Sequence, residues 1–293
     1  MKHSLAGWLF AGPALAVIVF FFIVPVIAAF GISLTDFDIY ALADIDNLRF
    51  VAFDNYLALL QRPLFWKALG NTFYFVLVGA PISVAVSLAA ALLLNGQKAH
   101  FKALFRTAFF APVVTTIVAV AVIWRYLLHT KYGAINFGLN NLGLGPVDWL
   151  GDPNFSMPAI MIFAVWKNFG YNMIIFIAGL QAVPEDLYEA ARIDGASYWQ
   201  QFLHVTLPGV APTMLLVGIL TMSGYFQLFA EPYVMTQGGP VQSTVSMLYL
   251  MYEEGFRWWS LGSASAVAFI LFIFMFLAAM VQLAVAKRVG GAA

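Results

Sequence analysis

Long apolar stretches alternate with short polar segments along this chain, and their lengths predict membrane-spanning helices. No Asp, Glu, Lys or Arg occurs within residues 4–35, 68–97 or 258–286. A helix needs about 20 apolar residues to cross the hydrocarbon core of a bilayer. Six stretches meet that length, at about residues 8–32, 71–95, 107–128, 157–181, 209–230 and 264–286. Such runs lack the alternation of a membrane β-barrel, so we predict an all-α integral membrane protein of six spans in a single membrane domain, 1–293.

Composition agrees with this prediction and excludes several other classes of protein. The chain is 62% hydrophobic and 10% charged, whereas soluble domains carry roughly a quarter charged residues. Its formal net charge is zero, which gives no support to nucleic-acid binding. It has no cysteine, and its four histidines are too scattered for a metal site, so no metal ligand is predicted.

The first apolar run resembles a secretory signal peptide in one respect, because Lys2 and His3 give it a basic start. Signal peptides have an apolar core of about 7–15 residues, and this run is much longer. We therefore expect the run to be retained as a membrane helix.

Basic residues favour the cytoplasmic side of a bilayer, and their distribution predicts that both termini are cytoplasmic. The strongest indication is the basic cluster between the second and third spans, which comprises Lys98, His100, Lys102 and Arg106. Acidic residues concentrate in the first segment on the opposite side, at Asp36, Asp38, Asp44, Asp46 and Asp54.

The polar segment at residues 182–208, between the fourth and fifth spans, has the pattern of two short helices joined by a turn. Pro184 suits the first turn of a helix, and the acidic residues after it complement the positive N-terminal end. Gly195 is placed to end that helix in a left-handed conformation. Ser197 is placed to cap a second helix, and Pro208 marks the entry into the fifth span. A first helix of about eleven residues is too short to be stable alone in water, so we expect a partner to hold it.

Residue types in this segment suit contact with a protein. Ala190 and Ala191 are small enough for a partner to approach the backbone, and Glu189 offers one negative charge. Apolar contacts to the partner are expected from Leu187, Tyr188 and Ile193. The alternative is a connector that lies on lipid headgroups. Helices of that kind are usually rich in basic residues, whereas here Arg192 stands alone against four acidic ones.

Residues 188–208 resemble the EAA loop of the permease subunits of ABC importers. That pattern is Glu-Ala-Ala, three residues, Gly, nine residues, Ile, any residue, Leu-Pro. It is matched here by Glu189, Ala190, Ala191, Gly195, Leu207 and Pro208, with Val205 in place of Ile. Asp194 and the stretches 7–15, 53–56, 71–72 and 237–240 are similar to the sugar-importer branch, in particular to the first permease of maltose-type or glycerol-phosphate-type importers. We expect the compact six-helix form, without the large outer domain and extra amino-terminal helices of some of these permeases.

The resemblance implies the type I ABC importer fold and a heteromeric transporter in a bacterial cytoplasmic membrane. The expected partners are a second homologous permease, two ATP-hydrolysing subunits and an extracytoplasmic solute-binding protein that delivers a sugar. Coupling to the ATPase would involve Glu189, Ala190, Ala191, Asp194, Gly195, Leu207 and Pro208. The sequence contains no phosphate-binding Gly-x-x-x-x-Gly-Lys-Ser/Thr loop. We therefore expect the partners to hold ATP and magnesium, and this chain to bind no cofactor and to be no enzyme.

Polar residues inside apolar spans are costly and tend to face a bundle interior or a water-filled path. Candidates for a substrate path are Thr116 in the third span, Lys167, Asn168, Tyr171 and Asn172 in the fourth, and Tyr225 and Gln227 in the fifth. Their amide, hydroxyl and aromatic groups suit a neutral sugar, and the resemblance implies that the fourth and fifth spans line the path. The alternative is that they only join helices, with the Lys167 side chain reaching towards water. Mono-, di- and oligosaccharides, polyols and glycerol phosphate derivatives all remain open as substrates, with a di- or oligosaccharide preferred.

Two other functions need features that this sequence lacks. An ion-coupled secondary transporter of small solutes would need carboxylates within its spans, and only Glu231 lies at the edge of one. A membrane enzyme would need a cluster of His, Asp, Glu or Ser residues at one interface, and the sequence suggests none.

Overall fold

A computed structural model describes residues 2–96 and 101–290 of the chain. Apart from one isolated bridge between Thr35 and Phe50, the ordered elements in these two ranges are helices. Lys98 and His100 of the predicted basic cluster lie outside the described residues.

Fourteen numbered helices and one short 3-10 helix, Ile45–Asn47, follow one another in the described ranges. The first are α1 (Lys2–Ile18, continued by a π-helical turn Val19–Ile23 and by Val24–Ser33), α2 (Ile39–Ala43), α3 (Asp54–Gln61) and α4 (Pro63–Asn95). The next are α5 (Lys102–Val114), α6 (Ile117–Leu127), α7 (Ala134–Asn141), α8 (Pro153–Gln181) and α9 (Glu185–Ile193). The last are α10 (Tyr198–Gly209), α11 (Ala211–Phe226), α12 (Ala230–Met235), α13 (Met247–Tyr252) and α14 (Leu261–Gly290).

Four helices of the described chain are long and apolar enough to cross a membrane, namely α1, α4, α8 and α14. The pairs α5–α6 and α10–α11 bring the number to six if each pair forms one span. Both pairs are bent, α5–α6 by 101° and α10–α11 by 66°. The stretch at 107–128 is therefore not the continuous helix that its apolarity suggests.

The break between α5 and α6 has a local cause. Thr115 and Thr116 are in extended conformation, with ψ of 150° and 132°. The Thr115 hydroxyl donates to the carbonyl oxygen of Pro112 at 2.6 Å, which offers the backbone an alternative to the helical hydrogen bond. The threonines lie within residues 113–118, where six β-branched residues of low helix propensity follow one another.

The chain divides into two compact units. The first comprises the residues up to Trp66 and Leu250–Phe272. Within it, the Arg49 guanidinium contacts the Asp36 carboxylate at 2.8 Å, and Arg62 contacts Glu254 at 2.7 Å. The backbone N–H of Arg49 also donates to Asp36, and this bond, together with the guanidinium, lowers the pKa of the Asp36 carboxyl.

The second unit comprises Lys67–Tyr249 and the residues from Ile273 onwards, and α8 is its central helix. The buried core of this unit is formed by Leu88, Ala91, Leu94, Met173, Phe176, Ile177, Leu180, Val183, Val210 and Val217. Glycines let neighbouring helices approach α8 closely, as small residues do in membrane bundles. A Cβ at Gly170 would lie 1.9 Å from the carbonyl oxygen of Phe109 on α5, so α5 and α8 are in backbone contact there.

Candidate functional site: a lined cavity and the polar elbow

A cavity of about 450 Å³ lies within the second unit, with walls from α4, α8 and α11 and from the segment that follows α11. Its lining residues are Phe75, Val113, Ile117, Ala164, Asn168, Tyr171, Asn172, Leu220, Thr221, Gly224, Tyr225, Gln227, Leu228, Phe229, Ala230, Glu231 and Leu248. Five of the predicted path residues are among them, Asn168, Tyr171, Asn172, Tyr225 and Gln227. The structure brings these five together, and their contact with a substrate stays a prediction.

Helical spacing explains why α8 contributes three polar residues to one wall. Asn168, Tyr171 and Asn172 stand three and four positions apart, so they share one face of the helix. The Asn172 amide nitrogen donates to the Thr221 hydroxyl on α11 at 2.9 Å, and this bond joins the two helices. The Asn168 amide nitrogen donates back to the carbonyl oxygen of Ala164 at 2.9 Å.

The two tyrosines of the cavity differ in how much of each ring is open. Tyr225 is 4% exposed, and its ring stacks on Phe75 with the ring centres 4.9 Å apart. A Cβ at Gly79 would lie 2.8 Å from the Tyr225 ring, so the backbone of α4 holds the ring from a second side. Tyr171 is 47% exposed. Tyr171 is therefore the open aromatic surface of the site, and Tyr225 is a packed part of its wall.

Two predicted path residues, Lys167 and Thr116, do not line the cavity. The Lys167 ammonium donates to the carbonyl oxygens of Pro112 at 2.7 Å and Val113 at 3.1 Å. These carbonyls belong to the last turn of α5, where the break ends the helical hydrogen bonding and where the helix dipole is negative. The Pro112 oxygen also accepts from the Thr115 hydroxyl. Lys167 therefore caps a broken helix and is not in the lining of the cavity, and the alternative interpretation, in which its side chain reaches towards water, does not hold either. Thr116 lies at the break itself, as the residue that precedes α6.

Glu231 lines the cavity, although the sequence predicts it only at the edge of a span. The reason is the path of the chain after α11. Phe229 leaves helical geometry, with φ of −146° and ψ of −58°, and the short helix α12 then carries Glu231 against the cavity. The isolated acidic residue at the end of a long apolar run was the available indication in the sequence.

The polar segment 182–208, called the elbow below, contains α9 and most of α10. Gly195 ends α9 with φ of +78°, and the Ala196 N–H donates to the carbonyl oxygen of Ala191 at 2.9 Å, so the predicted left-handed end is confirmed. Ser197 and Gln200 form a capping box at the start of α10, which confirms the predicted cap. Pro208 lies inside α10, and the bend into α11 occurs after it, so Pro208 does not itself begin the span.

One side of the elbow is open and the other is anchored. Glu189 and Ala190 are exposed, and the Glu189 carboxylate has no hydrogen-bond or ion-pair partner among the described residues. Large apolar side chains are also exposed on the elbow, at Leu187, Ile193, Tyr198 and Trp199, with Tyr198 92% exposed. Tyr188 differs from the prediction, because its ring packs against the buried core of the second unit and its hydroxyl lies 3.0 Å from that of Thr206.

Similarity to known proteins shows which protein family has this arrangement of cavity and elbow. Residues 4–291 match the family described as "Binding-protein-dependent transport system inner membrane component". The chain belongs to that family. This permease is 33% identical over 291 residues to the lactose transport system permease protein of Rhizobium radiobacter, which covers 98% of this chain and 95% of the relative. It is 34% identical over 289 residues to the trehalose/maltose transport system permease protein of Thermococcus litoralis, with 98% and 95% covered.

A solved structure shares the fold of the permease. A bacterial ABC transporter involved in the import of the acidic polysaccharide alginate matches with a TM-score of 0.79 and 20% identity, covering 98% of this chain and 96% of that one. The predicted all-α fold of the type I importer class is thereby confirmed. The permease is a multi-pass inner membrane component of a binding-protein-dependent transport system, and this role is neither that of an enzyme nor that of an ion-coupled secondary transporter.

Proposed function

We propose that this permease forms half of the translocation path of an ATP-driven importer for a sugar or sugar-like solute, with a di- or oligosaccharide preferred. The observation that carries the proposal is the cavity between α8 and α11, where amides, hydroxyls and an open tyrosine meet. Sugars present many hydroxyl groups on a partly apolar ring, and such sites recognise them with a few polar groups in an apolar wall. The relatives named for lactose and for trehalose and maltose support the same substrate class.

The elbow is the proposed contact with an ATP-binding subunit. A short helix with an unpaired carboxylate, Glu189, and exposed apolar side chains on the same segment suits docking in a cleft of another protein. The exposed Ala190 permits close approach of a partner to the α9 backbone. Within this proposal two ATP-binding subunits hold ATP and magnesium and hydrolyse the nucleotide. Both termini of the permease then lie on the same cytoplasmic side as the elbow.

The remaining proposed partners are a second, homologous permease and an extracytoplasmic solute-binding protein. Helix α1 supports the first of these, because none of its most apolar window is buried within the described chain. That surface is available to lipid and to the second permease. The family description, which names binding-protein-dependent transport, supports the second.

Uptake by reconstituted vesicles tests the proposal. The complete transporter is placed in proteoliposomes with its binding protein, a mixed panel of mono-, di- and oligosaccharides is added, and the vesicle contents are analysed by mass spectrometry with and without ATP. We expect ATP-dependent accumulation of at least one sugar. Glu189→Lys should reduce this uptake at least tenfold. Reversing a charge in a docking interface costs about 1.4 kcal/mol or more of binding free energy, and that is a tenfold loss of affinity.

Asp46→Lys is the matched control, because it reverses the charge of an exposed acid outside the elbow. This variant should transport as the wild type does. If the wild type accumulates no sugar, the proposed substrate class is wrong. If Glu189→Lys transports normally, the proposed role of the elbow is wrong.

A further inference from the structure

The charged groups around the cavity carry information about its substrate. Of the residues that the structure describes, Glu231 is the one acidic residue in the lining, and no Lys, Arg or His is part of it. A buried anion is stabilised by a cation or by several donors, and without them its transfer from water is costly. The lining thus contains a carboxylate and, among the described residues, no cationic side chain that would stabilise an anionic solute.

Lys167 is the cation on α8 that lies nearest in sequence to the lining residues, and its charge is already engaged. The residue is 7% exposed, and its ammonium donates to the carbonyl oxygens of Pro112 and Val113. Both acceptors belong to the end of α5, where the helix dipole adds to their negative partial charge. A solute in the cavity would have to compete with these two bonds to reach the ammonium.

The amide side chains of the lining present acceptors. The amide nitrogens of Asn168, Asn172 and Gln227 each donate to a protein oxygen, those of Ala164, Thr221 and Ser223. Their amide oxygens accept no hydrogen bond within the described chain. With the carboxylate of Glu231 these oxygens form a set of acceptors, which suits the hydroxyl donors of a sugar and opposes a carboxylate or phosphate.

We infer that this cavity takes an uncharged, hydroxyl-rich solute and discriminates against anionic sugars such as hexuronates and sugar phosphates. The inference rests on the proposed function as a sugar importer and selects one substrate class from those that the sequence leaves open. It assigns Glu231 as a specificity-determining residue. It also distinguishes this permease from the structurally similar importer of an acidic polysaccharide.

A competition experiment tests the inference on the complete transporter in proteoliposomes. The vesicles receive an equimolar mixture of neutral mono-, di- and oligosaccharides and the corresponding sugars with one hexuronate unit, and ATP-driven uptake of each is measured by mass spectrometry. The wild type should take up the neutral members preferentially. Glu231→Gln should raise the ratio of hexuronate to neutral uptake by about tenfold, because a unit charge at a partly buried site contributes an interaction of at least that size.

The same binding protein supplies substrate to every variant, so a change in this ratio between variants reports the permease. Lys131→Met is the comparison variant. It removes an exposed positive charge at a residue that does not line the cavity, so both the uptake and the ratio should match those of the wild type.

The outcomes distinguish a failure of the proposed sugar import from a failure of the inferred preference for uncharged solutes. ATP-driven uptake of no sugar by the wild type would overturn the proposed function and this inference with it. Uptake of neutral sugars with an unchanged ratio in Glu231→Gln, including no hexuronate uptake in either protein, would overturn the inference alone. Equal uptake of both classes by the wild type would do the same.

Discussion

The hydroxyl oxygens of Tyr188 and Thr206 lie 3.0 Å apart and join the two helices of the elbow, α9 and α10. Thr206 is buried, and the Tyr188 ring packs against the buried core around α8. The exposed side of α9 is therefore connected to the membrane helices by a specific side-chain contact in addition to the chain itself. A displacement imposed on α9 by an ATPase would reach α10 and then α11 through this contact.

Tyr188→Phe and Thr206→Val each remove one hydroxyl and keep the shape of the side chain. We expect each variant to lower the amount of sugar transported per ATP hydrolysed by about fivefold, since a typical hydrogen bond contributes about 1 kcal/mol. The measurement is the ratio of uptake to phosphate release in proteoliposomes. The double variant should be no worse than the worse single variant, because both remove the same bond. Wild-type ratios in both single variants would show that this bond does not serve coupling.

Gly170→Ala should destabilise the permease because the new methyl group has no space. Its Cβ would lie 1.9 Å from the carbonyl oxygen of Phe109, a backbone atom that moves only if α5 moves. Overpacking of this kind costs about 1–3 kcal/mol. The expected result is a melting temperature several degrees lower in detergent, measured by intrinsic tryptophan fluorescence.

Gly218→Ala is the matched control for that variant. It introduces the same methyl group in the apolar helix α11, where the nearest atom, Nε2 of Gln282, would be 3.8 Å away. Its melting temperature should equal or slightly exceed that of the wild type, since Ala favours a helix over Gly. Equal melting temperatures for both variants would contradict the close contact between α5 and α8.

Lys167→Met should destabilise the bent pair α5–α6. The substitution keeps an unbranched side chain but removes the ammonium donor from the carbonyl oxygen of Val113, whereas the oxygen of Pro112 keeps the Thr115 hydroxyl. An unsatisfied buried polar group costs about 1–3 kcal/mol. Thermal unfolding in detergent measures the loss, with the exposed Lys131→Met as control. A melting temperature equal to that of the control would mean that the capping bonds contribute nothing measurable.

Asn172→Leu and Thr221→Val test the bond that joins α8 and α11 at the cavity. Each single variant leaves a buried polar partner, and the double variant removes both. Hydrogen bonds between membrane helices contribute about 0.6 kcal/mol on average. A double-mutant cycle of unfolding free energies should give a coupling of that size. A coupling of zero would imply that the Asn172 amide is available to substrate and does not hold the helices together.

The sequence predicted those features that depend on local chemistry. Apolar length predicted the helical membrane segments, and the glycine at 195 and the serine at 197 predicted the turn and the cap of the elbow. Helical spacing predicted that Asn168, Tyr171 and Asn172 share one face of α8. Each of these depends on residues within one or two turns of each other, so the pattern itself contains the information.

The features that were missed depend on contacts between distant residues. Apolarity gives the length of a span but not the direction of its axis, so the 101° bend at 115–116 does not follow from it. The ammonium of Lys167 meets carbonyls more than 50 positions earlier in the chain, and nothing near Lys167 indicates them. The inward position of Tyr188 depends on Thr206 in the other helix of the elbow. Glu231 entered the cavity because the chain turns after α11.

The position of Lys167 at the midpoint of α8 has a consequence for biosynthesis. Insertion of a lysine at the centre of a helix through the translocon costs about 2.5–3.5 kcal/mol. The helix that receives this ammonium, α5, precedes α8 in the nascent chain, so the accepting carbonyls are synthesised first. The order of synthesis thus supplies the acceptors before the charge arrives.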